Sequence, residues 1–164
     1  MAELTVLDSK LAEVLGLAGA ARTATEKVQG MLDDDERDLA DTLEQMGNEA
    51  RETEERCEQV AGEFDGKKTA ILEEAREVKQ EATEMMRTYL EGEDEALDGF
   101  EFLTMAEAGE VGHWKILSKL NEKARIPQVE ELANWALPIQ ERHFAGVVEG
   151  SLSLASREDP SATE

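Results

Sequence analysis

Apolar residues recur every three or four positions through nearly the whole of this 164-residue chain, and only three prolines interrupt the pattern. A stripe of that period is one face of an α-helix, so the sequence predicts an all-α protein. Leu4, Leu7, Leu11, Leu15 and Ala18 mark a first helix over about 4–29, ended by Gly30 and the acidic run Asp33, Asp34, Asp35. Leu39, Leu43, Met46, Ala50, Thr53, Cys57, Val60 and Phe64 mark a second over about 36–64, closed by Asp65-Gly66. A third, over about 68–90, carries Ile71, Ala75, Val78, Ala82, Met85 and Tyr89. The stretch Glu91-Gly92-Glu93-Asp94 breaks it, and a fourth helix is expected over about 95–123. Ile126-Pro127 opens the fifth, with proline in its first turn, and it extends to about 156. Residues 1–156 are expected to form one domain. The polar tail 157–164, with Pro160, is expected to fray.

The first, second, fourth and fifth segments are long enough to pair as antiparallel rods. The third is shorter and more polar, and is expected to connect the second to the fourth. Aromatic residues are 4% of the chain, so the core must be mostly Leu, Val, Ala and Met. No apolar run approaches the length of a membrane span. Residues 1–10 lack a basic start followed by an apolar run, which predicts no signal peptide. The lone Cys57 excludes an intrachain disulfide and suits a cytoplasmic location.

Acidic residues outnumber basic ones 39 to 17, for a net charge of −22. Such a surface repels nucleic acid and anionic membranes. It is read either as a solvated face or as a cation-attracting field around a metal-handling protein. No phosphate loop, nucleophile elbow or Ser/His/Asp set is present, so the chain is not read as a conventional enzyme.

The informative stretch runs from Phe100 to Leu117. At about 100° per residue, Phe100, Leu103, Val111, Trp114 and Leu117 share one face. Glu107 falls in the middle of that face and Glu110 within it. Two carboxylates in an apolar stripe are costly unless a cation, a metal or a proton compensates them. His113 follows Glu110 by one turn, on the flank. On the fifth segment His143 sits at the centre of the core stripe, with Gln140 at its edge. Glu110-x-x-His113 and Gln140-x-x-His143 therefore match the Glu-x-x-His unit of carboxylate-bridged dimetal bundles, with glutamine for glutamate in the second. The first two segments supply no clear partner glutamates. Glu49 and Glu54 lie on the shoulders of the second stripe. Arg22 falls on the core face of the first, where a guanidinium would neutralise Glu107 and Glu110 without a metal. Metal ligation and a buried network of Arg22, His143 and the two acids both remain open.

From Thr42 to about Leu154 the chain resembles the ferritin-like superfamily, most closely its YciF-like, stress-associated family. The resemblance rests on Glu54–Lys68, on Glu107-x-x-Glu110, and on the fifth segment. Where that family has a His-Leu-Glu-Glu-Thr stretch, this chain has Thr42-Leu43-Glu44-Gln45-Met46. The resemblance implies an antiparallel four-helix bundle with an extra connecting helix. It also implies a dimetal centre, with Glu107 and Glu110 carried over as ligand positions; the reading of the residues adds to an iron or manganese site His143, with His113 or one acid of the second segment, and Gln140 as a hydrogen-bonding support beside them. Any turnover would be a ferroxidase-like dimetal oxidation; the alternative is a metal-free structural or partner-binding bundle. Trp114, Trp135 and Phe144 point to more apolar surface than one bundle hides, and predict a homodimer.

Overall fold

A computed structural model describes residues 2–163; Met1 and Glu164, at the outer ends of the two terminal segments, lie outside it. Five helices account for most of the chain: α1 (Val6–Gln29), α2 (Arg37–Gly62), α3 (Lys68–Tyr89), α4 (Ala96–Ala124) and α5 (Pro127–Ala155). No strand occurs among the described residues, and none of their helices is long and apolar enough to cross a membrane. The boundaries fall within about two residues of those the periodicity predicts.

Local chemistry explains the ends. Thr5 caps α1 and forms a reciprocal box with Asp8: the Asp8 amide donates to Thr5 Oγ1 at 3.2 Å, and the Thr5 amide to Asp8 Oδ2 at 2.8 Å. The buried Asp8 carboxylate also accepts from Lys67 Nζ at 2.6 Å, which ties the start of α1 to the α2–α3 turn. Gly66 and Gly92 take the left-handed conformation in the turns before and after α3. Between α4 and α5, Asn121 clamps a single residue. Its amide nitrogen donates to the Ile126 carbonyl at 3.0 Å, and its oxygen accepts from the Ile126 amide at 3.1 Å. Pro127 then starts α5. Pro138, inside that helix, is exposed, so the carbonyl it leaves unbonded at Asn134 faces water.

The helices α1, α2, α5 and α4 meet in that cyclic order around one interior. Each hairpin pairs with the other antiparallel: Val28 of α1 lies against Gly99 of α4, and Leu39 of α2 against Gly150 of α5. The connecting helix α3 lies alongside α1 and touches α2. Gly16 allows that close approach, since a Cβ there would stand 2.4 Å from the Ala75 carbonyl oxygen.

The apolar core is divided. One block, around Leu11, Cys57, Ile71, Trp114, Leu117, Val129 and Leu132, fills the end where α1 begins. The other, around Val28, Leu43, Met46, Phe100, Leu103, Val147 and Leu154, fills the opposite end. Trp114 is fully buried, Trp135 lies under the Arg56 guanidinium at 4.1 Å, and Phe144 is half-buried. The tail follows α5 as hydrogen-bonded turns, and Arg157 Nη1 meets the Glu36 carboxylate at 3.0 Å.

Candidate metal centre

Between the two apolar blocks lies a polar layer made of Glu107 and Glu110 from α4 and Gln140 and His143 from α5, all buried. The Asn121 clamp fixes the register of the α4–α5 hairpin, so residues equally far from the turn face each other. Glu110 therefore meets Gln140, whose Nε2 donates to Glu110 Oε2, and Glu107 meets His143. Glu107 is 1% exposed, and its Oε2 makes no hydrogen bond. His143 Nδ1 stands 3.6 Å from that oxygen, while Nε2 stands 3.4 Å from Oε1 of Glu49, on α2. Arg142 grips both oxygens of Glu49. The hydrogen bond from Arg142 holds the Glu49 carboxyl below the usual carboxylate range, against a smaller opposing effect of burial.

Glu110 behaves in the opposite way. Burial first, and the neighbouring Glu107 second, push its carboxyl well above the usual range, with Gln140 acting weakly against them. Burial likewise pushes the Cys57 thiol up, so Cys57 stays a small apolar group.

Of the residues that the sequence singles out, Glu107, Glu110, Gln140 and His143 come together as expected. His113 does not reach the layer. It sits on the flank of α4 toward α1, with Nδ1 3.0 Å from Glu13 Oε2 and 3.4 Å from Lys10 Nζ. Arg22 does not neutralise the two acids. Its Nε pairs with Glu54 Oε2 at 3.1 Å, and its side chain is 36% exposed. Gly19 explains the diversion: a Cβ there would stand 2.6 Å from Glu54 Oε1, so its absence lets Glu54 lean onto α1 and capture the guanidinium. Glu49 is the acid of α2 that joins the layer. Only its place on the shoulder of a stripe marked it in the sequence.

The donor set does not fit a dinuclear centre. The buried positions of α1 in this stretch are Ala18, Gly19, Ala20, Ala21, Ala24 and Thr25, and those of α2 are Ala50, Thr53 and Cys57, so neither helix contributes a buried carboxylate at this level. Glu107 offers an unengaged oxygen, His143 Nδ1 faces it, and Glu49 holds the far side of the ring as an outer acid does in carboxylate–histidine–metal arrangements. Among the described residues no three acid, histidine or cysteine side chains yet close on a common point. Comparisons with family models, with curated proteins and with solved structures find no match to this chain.

Proposed function

We propose that the chain is a ferritin-like bundle that binds one divalent cation, iron or manganese, in a metal-handling or stress role, through Glu107, Glu110 and His143. The observation that carries the reading is the orphaned Oε2 of Glu107 facing a histidine whose other nitrogen is held by Glu49. A buried carboxylate oxygen without a hydrogen bond is costly, and a cation there removes the cost. The antiparallel hairpins joined by the long helix α3 support the ferritin-like arrangement. The net charge of −22 draws cations toward the molecule. When bound, such an ion supplies Lewis-acid and one-electron redox chemistry at a dry point of the interior. The chain's own part is to present the carboxylates, to aim the imidazole and to exclude water with the apolar block on either side.

A second reading is favoured by the open arrangement of these side chains. A raised Glu110 carboxyl, and the His143 ring lying between Glu107 and Glu49 as a polar partner of both, also accommodate the buried acids, leaving a metal-free bundle. Loading with manganese or with ferrous iron under argon, followed by desalting and elemental analysis, separates the two. The cation reading expects one ion per chain in the wild type and none in Glu107→Ala. Two ions per chain, or none, overturns it, and none assigns the metal-free bundle.

A further inference from the structure

A cavity of about 200 Å³ opens along the seam between α3 and α4, with α1 as its floor. Its walls are almost wholly apolar, from the alanines of α1 to Met86 of α3 and Phe102 of α4. Two large methionines, Met85 and Met105, stand at its mouth 64% and 50% exposed. Flexible methionines of this kind line surfaces that adapt to an apolar guest. At one end only, the wall is polar: Glu110 and His113, one turn apart on α4, both line it. Glu110 is 4% exposed and commits Oε2 to Gln140. His113 engages Nδ1 with Glu13 and Lys10, so Nε2 is the ring nitrogen that remains for a guest.

We propose that this cavity is a binding site for one small neutral molecule with an apolar body and a single hydroxyl, such as a phenol or short-chain alcohol, seated with the hydroxyl between Glu110 and His113. The volume sets the size. An apolar cavity of about 150 Å³ accepts benzene, and drug-sized ligands need about 300 Å³ or more. The polar end sets the group. A hydroxyl both donates and accepts, so it pairs with a carboxyl and an imidazole together when one of them presents a hydrogen and the other a lone pair. The charge sets the exclusion. A carboxylate head group would meet Glu110 and Glu13 inside a molecule of net charge −22. This inference does not rest on the cation reading, although Glu110 borders both sites.

Ligand-observed NMR and calorimetric titration of the full chain with 4-methylphenol, toluene and hexanoate test it. The wild type is expected to bind 4-methylphenol, to bind toluene about tenfold more weakly, the weight of one hydrogen bond, and to show no binding of hexanoate. Gly109→Leu is the blocking variant. Position 109 lines the mouth, a Cβ there meets nothing within 4 Å, and a leucine points back along the helix toward Met105. That variant is expected to lose 4-methylphenol, to melt no lower than the wild type, and to keep its manganese content. His113→Leu is expected to narrow the preference for the phenol over toluene, since Glu110 alone then meets the hydroxyl. Failure of the wild type to bind either aromatic, undiminished binding by Gly109→Leu, or equal affinity of the wild type for both overturns the proposal. Manganese content measured on the same samples keeps its failure distinct from that of the cation site.

Discussion

His143 Nε2 stands 3.4 Å from Glu49 Oε1, so an acid on α2 holds the outer edge of an imidazole that α5 directs into the interior. Glu49 is itself fixed by Arg142, the residue next to the histidine it orients. Replacing Glu49 with alanine should leave the cation donors in place but free the ring. We expect manganese affinity to fall by about 10–100-fold, the usual weight of an outer partner, against complete loss in Glu107→Ala. Titration calorimetry checks this; equal affinity in Glu49→Ala and wild type removes Glu49 from the site.

The raised pKa of Glu110 has a stability consequence in the metal-free protein. Its carboxyl ionises above the ordinary value of 4.5, so the folded state binds more protons than the unfolded state between the two values. Its contribution is complete below the unfolded value and is lost as pH rises through the folded one. Glu110→Gln keeps a hydrogen-bonding group and removes the titration. Melting temperatures recorded from acid to mildly alkaline pH should show the variant gaining on the wild type as pH rises. Parallel curves would show that Glu110 does not titrate as this environment dictates.

Asp8 joins a helix cap to an ion pair across the chain. Asp8→Ala removes the return half of the capping box and strands Lys67, and should destabilise the protein by about 2 kcal/mol. Urea denaturation measures it. A loss within a few tenths of a kcal/mol would mean that neither contact matters to stability.

Gly150→Ala should also be costly, for a steric reason. A Cβ at 150 would stand 2.3 Å from Phe100 Cε1, and Phe100 is fully buried, so the ring or α5 must move. We expect a loss of about 1–3 kcal/mol, whereas Gly109→Ala, with open space around it, should stabilise by a fraction of that. The two variants stabilise alike if helix propensity rather than packing governs position 150.

The helices were legible because each buries one stripe, and a stripe of Leu, Val, Ala and Met leaves a period that local sequence carries whole. Glu107, Glu110 and His143 were legible for the same reason: polar residues at the centre of a stripe must be buried. What local sequence could not show depends on neighbours. Arg22 lies toward the core on its own helix, yet Glu54 reaches it over Gly19, a contact created by a missing side chain. Glu49 sits on a shoulder and becomes part of the layer through Arg142 and His143, more than ninety positions away. His113 shares the Glu-x-x-His spacing, but its angle on α4 turns it to Glu13.

The polar layer that divides the core makes the protein two dry compartments stacked end to end rather than one. Water reaching the midplane would find carboxyls and an imidazole to hydrate, whereas water entering either apolar block would meet mainly hydrocarbon. The middle of the rods is thus the place of least resistance to hydration, a reversal of the usual pattern in which helices open from their tips. A cation or a proton set at that seam acts as a rivet, and its loss should loosen both compartments at once.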